Sequence, residues 1–342
     1  MKRVLYVGLD YHQNSVQVCV MSAEGKMLLN RPCRNDVRAI WEAVEEFDSD
    51  EIRAALEACC GSADLAEEIS QRRGWSVCLA HPGYVSRMKH TPDKTDWSDA
   101  RLLADLVRVG YIPRVWLAPE AVRELRRVVH YRQTLVDARR NVKLRIGGLL
   151  REQRIASPQK ISRWTLGWLE WLATSAPLSP EGRWVMDRYL EEFEDAKRKV
   201  AVCEKHLEKI VADDRLVGRL MEQKGIGLIT ACVMRAEIGQ FDRFRNGKQL
   251  SHFVGLSPRN ASSGERQADA GLIKGCNRML RAVMVEAAHR LMRYEKKWSD
   301  LAGRLRSRGK PVPVVVAAVG NRWLRWLWHQ MHEQPQPVSQ AA

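Results

Sequence analysis

Three short apolar runs follow one another at the start of the chain, each too short for a helix and separated by polar residues. Val4–Asp10, Ser15–Met21 and Met27–Cys33 each read as a strand, with the turn Ala23-Glu24-Gly25-Lys26 between the second and third. Connections this short join antiparallel neighbours, so the three runs predict a meander. Strand and helix then alternate. A helix is expected over Val37–Phe47, with Ile40, Trp41, Val44 and Phe47 on one side. A strand follows over Ile52–Glu57, a helix over Asp64–Arg73, and a strand over Trp75–His81 that Pro82 stops. Asp99–Val109 closes the pattern as a helix with Leu102, Leu103, Leu106 and Val109 on its face.

A meander followed by strand–helix alternation predicts an α/β domain of ribonuclease-H-like order over residues 1–115. From Pro119 the strand signals vanish. Ala121–Gln153 is one long helical pattern rich in arginine, including Arg123, Arg126, Arg127, Arg139 and Arg140. Trp164–Leu172 is a short Trp-rich helix, and Pro177-Leu178-Ser179-Pro180 breaks the chain. Gly182–Val211 is a second long helix, with Val185, Tyr189, Phe193, Val200, Cys203, Leu207 and Ile210 spaced three or four apart. The two long helices predict an antiparallel coiled-coil arm over 116–215. A mostly α-helical domain is expected over 216–332, and a disordered tail over 333–342 that contains Pro335 and Pro337.

Charge narrows the partners. Lys and Arg number 56 against 41 Asp and Glu, giving a formal +15 and a pI near 9.7. Such a balance calls for a polyanion, first of all nucleic acid. No lipidation signal and no basic run beside an apolar helix points to a membrane. Met1-Lys2-Arg3 runs straight into a strand pattern, without the apolar region of a signal peptide. The longest apolar runs, such as Val314–Val319, are too short to span a bilayer. The eight cysteines form no Cys-x-x-Cys pair, so neither a zinc site nor a disulfide framework is expected, and a reducing cytoplasm fits.

Four acids stand out in this basic chain. Asp10 and Glu57 close strand patterns, and Asp96 and Asp99 sit three apart at the start of a helical one. Strand ends would bring Asp10 and Glu57 to one edge of the sheet, and i, i+3 spacing puts Asp96 and Asp99 on one side of a helix. Mg²⁺ takes oxygen ligands and shares its shell with substrate phosphates. Two such ions about 3.5–4 Å apart can serve both the attacking and the leaving oxygen. Without cations, four close carboxylates would repel one another and raise their pKa values. The ordinary roles stay open beside this one: a helix cap, a first-turn acid favoured by the dipole, a solvated strand end.

Other motifs speak more softly. Gly255–Arg266 is a polar, turn-rich loop between helical patterns, holding Ser262-Ser263-Gly264 with Arg259 and Arg266 nearby. A serine among cations could act on a phosphate, and Ser-Ser-Gly is also an ordinary loop signature. Lys224-Gly225-Ile226-Gly227 resembles a helix-hairpin-helix turn, in which Gly225 and Gly227 would let backbone N–H groups approach a phosphate; it also reads as a plain helix–helix turn. Lys274, Arg278, Arg281 and the basic residues that follow them suit contacts to a phosphate backbone. Trp164, Trp168 and Trp171 have helical spacing, as do Trp323 and Trp326, and suit packing more than base stacking.

Two sets of stretches, one in each half of the chain, together carry a family likeness. Val7-Gly8-Leu9-Asp10, Leu56-Glu57-Ala58 and Lys94-Thr95-Asp96-Trp97-Ser98-Asp99-Ala100 resemble the RuvC-like "DEDD" half of the insertion-sequence 110 family of transposases. Gly225-Ile226-Gly227, Phe253–Pro258 with Ser263-Gly264, and Asn277–Arg281 with Ala287-Ala288 resemble that family's C-terminal domain. The likeness implies a bacterial recombinase guided by a noncoding bridge RNA that pairs with donor and target double-stranded DNA. It implies that Asp10, Glu57, Asp96 and Asp99 bind one or two Mg²⁺ ions. It implies that Ser263 attacks the phosphodiester and holds the DNA covalently. It implies homodimers that assemble into tetramers, with domains of different subunits sharing an active site. One departure stands out: Cys59-Cys60-Gly61 follows Glu57-Ala58 where the family commonly has Thr-Gly. The residues also allow a RuvC-like nuclease that uses water, or a nucleic-acid-binding protein without catalysis. A sugar-kinase or actin-like ATPase would need a second phosphate loop, which is missing.

Overall fold

The computed structural model describes residues 3–89, 95–260 and 269–332 and divides into two compact units, Met1–Pro119 and Glu120–Ala342. The first unit is built on a six-stranded sheet. Its strands are β1 (Val4–Tyr11), β2 (Ser15–Met21), β3 (Met27–Arg34), β4 (Glu51–Glu57), β5 (Trp75–Ala80) and β6 (Arg114–Val115). The spatial order is β3-β2-β1-β4-β5-β6. β1, β2 and β3 pair antiparallel, as the short connections require, while β4 joins β1 and β5 joins β4 in parallel. The mixed α/β unit therefore has the expected meander and alternation. The two-residue β6, antiparallel to β5, was not legible in the sequence pattern.

Helices α1 (Val37–Glu45) and α2 (Ser62–Ser70) cover one face of the sheet. Asp36 caps α1 by accepting from the backbone N–H groups of Arg38 and Ala39. Leu5, Val7 and Leu9 of β1 point into this face with Ile40, Val44, Leu56, Leu65 and Ile69. Beyond β5 come a single turn, α3 (Pro82–Val85), and a 3₁₀ turn over Ser86–Met88. Helix α4 (Asp96–Arg108) lies on the opposite face, where Ala100 and Ala104 pack with Cys19, Met21 and Tyr6. Small side chains there let the helix come close to the sheet.

The second unit begins with α5 (Glu120–Glu152), followed by the short α6 (Leu166–Thr174) and by α7 (Pro180–Ile210). At 33 residues, α5 is about 50 Å long. α5 and α7 run antiparallel. Arg132 pairs with Glu204 at 2.8 Å, Arg145 pairs with Glu192, and Gln153 donates to Ser179 Oγ at 3.0 Å. Leu135, Val200 and Cys203 form the seam in the middle. Val142, Ile146, Leu150, Met186 and Phe193 meet Trp168 and Leu172 of α6 at the far end. The spacing thus located two long helices that pair antiparallel, and Trp164, Trp168 and Trp171 pack as an aromatic cluster.

The rest of the unit is mostly helical: α8 (Arg215–Met221), α9 (Leu228–Ile238), α10 (Gly247–Val254), α11 (Arg278–Tyr294), α12 (Lys296–Ser307) and α13 (Val312–His332). A small hairpin, β7 (Pro258–Asn260) and β8 (Asp269–Leu272), interrupts the helices. Leu125, Val129, Leu207 and Val211, at the base of the hairpin of α5 and α7, share one core with Met234, Leu250, Met284, Val319 and Trp323. All eight cysteines are unpaired, and burial pushes the thiols of Cys19 and Cys232 up to about 11. No helix among the described residues is long and apolar enough to cross a membrane.

Candidate functional site

Strand geometry assembles the first part of the site. β1 and β4 are parallel with Leu9 opposite Leu56, so Asp10 and Glu57 are the next residues along the same edge. Side chains alternate along a strand. Leu5, Val7 and Leu9 fill the core on one face, which turns Gly8 and Asp10 towards α4. A Cβ on Gly8 would stand 1.9 Å from the Ala100 carbonyl oxygen and 2.5 Å from the Ala104 nitrogen. Glycine therefore lets α4 rest directly on the strand and brings its first turn beside Asp10.

That first turn is fixed by a capping box. Thr95 Oγ1 accepts from Ser98 N at 3.2 Å, and Ser98 Oγ accepts from Thr95 N at 3.3 Å. The cap is thus Thr95, which leaves both acids of the motif free of that duty. Asp96 is exposed and Asp99 is buried at 7% relative exposure, both in the turn where the helix dipole favours negative charge.

Two residues unmarked in the sequence reading complete the arrangement. His12, just past β1, puts Nε2 3.3 Å from Asp10 Oδ2 and 3.2 Å from Asp96 Oδ2. The three donor atoms of Asp10, His12 and Asp96 lie within 4.8 Å of one another. Lys89 Nζ sits 2.6 Å from Asp99 Oδ1. Burial raises the Asp10 carboxyl above its ordinary value; His12 opposes this, while Asp99 and Asp96 add to it. Asp99 is therefore close enough to act on Asp10, although it is not one of the trio. Glu57 is half-buried at the same sheet edge, and its charge and that of Asp10 both raise the Cys59 thiol, where burial is the larger cause. An imidazole and an ammonium lie against carboxylates that would otherwise repel one another. A divalent cation meets the same need, so the donor set fits a hard metal ion. His12 was findable: it lies two residues beyond Asp10, the spacing that returns a strand to one face. Lys89 had no local signal.

In the second unit, the segment from α10 to α11 is held at both ends. Gly255 ends α10 with φ +77°, and a Cβ there would lie 2.3 Å from Arg281 Nη2 and 2.6 Å from Cys276 Sγ. Ser257 Oγ is 3.1 Å from the buried Ser251 Oγ and accepts from Asn321 Nδ2 at 3.2 Å, which makes it a pin for the segment. Arg259 on β7, Lys274, and Arg278 at the start of α11 are exposed. Arg281 is half-buried and donates to the Ile273 carbonyl. Ser262, Ser263, Gly264 and Arg266 lie between β7 and β8, outside the described residues, as do Lys94 and the tail 333–342. Gly225 lies in the turn between α8 and α9, and Gly227 precedes α9. Within that turn Lys224 pairs with Glu295 at 2.8 Å, and the Gly225 carbonyl accepts from Arg290 at 3.3 Å.

A buried carboxylate supports this region. Glu237, at 7% relative exposure, lies 2.7 Å from His130 Nε2, accepts from Asn277 Nδ2 at 2.7 Å, and has Arg126 at 3.8 Å. Asn277 Oδ1 in turn caps α11 by accepting from Leu280 N at 3.0 Å. Burial pushes the nearby Arg243 guanidinium down to about 10, with Arg126 adding to the shift and Glu237 opposing it. The acid comes from a stretch that reads as a plain apolar helix, so no motif announced it.

Comparison with known proteins agrees in both halves. Residues 7–154 match the model of the IS110-type DEDD transposases, and residues 217–302 match a model described as the transposase IS116/IS110/IS902 family. A probable family 20 transposase of Pseudomonas aeruginosa is 28% identical over 285 residues, covering 80% of this chain and 82% of its own length. The transposase for insertion sequence element IS1111A of Coxiella burnetii is 25% identical, covering 95% of this chain and 90% of its own. The transposase for IS1328 of Yersinia enterocolitica is 24% identical, covering 96% and 97%. With both domain models matched in chain order and relatives aligned along nearly its whole length, the chain belongs to the IS110 family of transposases.

Proposed function

We propose that the chain is an RNA-guided serine DNA recombinase whose carboxylates Asp10, Glu57, Asp96 and Asp99 hold Mg²⁺. The observation that carries this reading is the gathering of Asp10, His12 and Asp96 donor atoms at one sheet edge, with Asp99 and Glu57 beside them. The strand order supports a ribonuclease-H-like fold for residues 1–115, and the antiparallel pair of α5 and α7 supports a coiled-coil arm used in assembly. The remaining divisions are the helical serine-bearing domain 216–332 and the tail 333–342.

Mg²⁺, when bound, would offset the negative charge of the phosphodiester. Asp10 and Asp96 would orient it, and Asp99 and Glu57 would complete its surroundings. The Ser263 hydroxyl attacks phosphorus and gives up its proton. A P–O bond to the serine forms as the P–O bond to the departing deoxyribose oxygen breaks, and that oxygen takes up a proton. Attack by a hydroxyl of the new partner strand reverses the step and frees the serine. The exposed Arg259, Lys274 and Arg278, together with Arg266, would neutralise phosphates around it, and Arg281, Gly225 and Gly227 would serve the same backbone. The bridge RNA would choose donor and target duplexes by pairing. Dimers joining into tetramers would supply both strands with a serine.

The test is a protein–DNA adduct that survives denaturation, formed with Mg²⁺ and the copurifying RNA. Ser263→Ala should abolish it and leave DNA binding intact. An adduct that persists in Ser263→Ala would mean another nucleophile, and cleavage without any adduct would mean water attack by a RuvC-like nuclease. Sequencing the copurified RNA tests the guide, and finding no discrete species would remove that part of the proposal.

A further inference from the structure

The last two helices enclose a concavity of about 480 Å³ that the family motifs do not touch. Its floor is aromatic. Trp298 of α12 and Trp326 of α13 meet edge to face, with centroids 6.3 Å apart and planes at 70°. Its walls are basic: Lys297 and Arg304 come from α12, Arg308 directly follows that helix, and Arg322 comes from α13. The spacing of 297 and 304 returns these two side chains to one helical face, Arg308 lines the same concavity from just past the helix end, and Arg322 and Trp326 are one turn apart. Trp298 is buried at 6% relative exposure and Trp326 is half-buried, while all four cations are exposed. Lys297 Nζ lies 4.9 Å from the Trp298 centroid and 5.1 Å from that of Trp326.

None of these four cations forms an ion pair with a carboxylate among the described residues, whereas most arginines on α5 and α7 that face acids are paired. Four like charges around one concavity repel one another and raise a positive potential inside it. An anion relieves that repulsion. An aromatic floor adds a preference for a planar, polarisable group on the same ligand. Phosphate and planar ring together describe a nucleotide. A base stacked inside a duplex cannot reach such a floor, but an unpaired one can.

We propose that this pocket binds an unpaired nucleotide of a single strand, its base against Trp326 beside Lys297 and its flanking phosphates on Arg304, Arg308 and Arg322. The proposal rests on the reading that the chain handles nucleic acid, and it does not depend on the serine, the metal or strand exchange. A single-stranded RNA and a single-stranded DNA share the chemistry, and the two are separated by experiment.

The full chain is titrated with a fluorescent single-stranded RNA of about fifteen nucleotides, a DNA of the same sequence, and a blunt duplex DNA of that length. Trp326→Leu should weaken single-strand binding about tenfold, the scale of one lost base–aromatic contact, and change duplex binding less than twofold. Trp326→Phe keeps a ring and should stay within threefold of wild type, which separates stacking from misfolding. Arg304→Gln with Arg322→Gln, both on the surface, should lower the slope of log affinity against log salt by about 1.4, at about 0.7 for each phosphate contact on a single strand. Loss confined to the RNA assigns the pocket to a structured transcript, loss confined to the single-stranded DNA assigns it to an opened duplex, and loss on both supports the shared chemistry. Equal loss on duplex and single strands, or no loss on either, overturns the proposal. The serine–DNA adduct assay is independent of these titrations, so failure of the pocket and failure of the recombinase reading give different results.

Discussion

Gly8→Ala tests whether close helix-on-strand contact builds the site. The added Cβ would lie 1.9 Å from the Ala100 carbonyl oxygen and 2.5 Å from the Ala104 nitrogen, both backbone atoms that no rotamer change can move. Ordinary contact needs about 3.5 Å, so α4 must retreat by about 1.5 Å or β1 must buckle. Overpacking of this kind costs about 3 kcal/mol, which in a unit of this size lowers the melting midpoint by about 10 °C. The same retreat carries Asp96 and Asp99 away from Asp10 and His12. A displacement of about 1 Å at a reacting group can cost about a hundredfold in rate. Thermal unfolding of the full chain, followed by scanning calorimetry and by a strand-transfer assay with Mg²⁺, reads both effects. Gly303→Ala is the control: it sits in helix α12 with open space around its Cβ position, and helix propensity favours alanine there by up to about 1 kcal/mol. If Gly8→Ala melts and reacts like wild type, α4 does not depend on that contact, and the account of how Asp96 reaches Asp10 is wrong.

The sheet was legible because its hydrophobic pattern has one solution. Three short apolar runs with turn-length gaps have to pair as a meander, and the alternation after them asks for parallel strands with helices across the sheet. The long helices of the second unit were legible for the same reason: an apolar position every three or four residues over thirty residues admits no strand. What stayed hidden depends on tertiary placement. Two-residue β6 is held only by pairing to β5 and carries no pattern of its own. Asp10, Glu57, Asp96 and Asp99 could be picked out as strand-end and helix-start acids, but Lys89 reaches Asp99 only once β5 and α4 are side by side. Glu237 looked like one polar residue in an apolar helix. Its partners His130 and Asn277 come from positions 107 and 40 residues away. Sequence spacing can locate acids that share an element, whereas charges that meet across elements appear only in the folded chain.

Three further outcomes follow from the charged contacts. Lys89→Met removes the ammonium from the buried Asp99 and should destabilise the metal-free protein by about 2 kcal/mol, less than a fully buried pair because Lys89 is partly exposed. Added Mg²⁺ should then restore more stability to the variant than to wild type, and equal Mg²⁺ shifts in melting would refute the competition. Glu237→Ala leaves Arg126 without its carboxylate and frees Asn277 at the cap of α11, so the denaturant midpoint should fall by the equivalent of about 3 kcal/mol; an unchanged midpoint would refute the role. The pH dependence concerns Asp10, whose carboxyl is raised above its ordinary 3.8, first by burial and then by Asp99 and Asp96, against the opposing His12. A raised folded-state value means that the folded chain binds that proton more tightly than the unfolded chain. Stability contributed at this site therefore declines as pH rises from 3.8 through the folded-state value, and below 3.8 the penalty is absent. Asp10→Asn carries no such charge, so in metal-free buffer its melting midpoint should gain on that of wild type as pH rises through this window. Saturating Mg²⁺ should reverse the order at neutral pH by stabilising wild type alone. A pH-independent difference between the two proteins, or an equal response to Mg²⁺, would show that Asp10 neither suffers the crowding nor holds the ion.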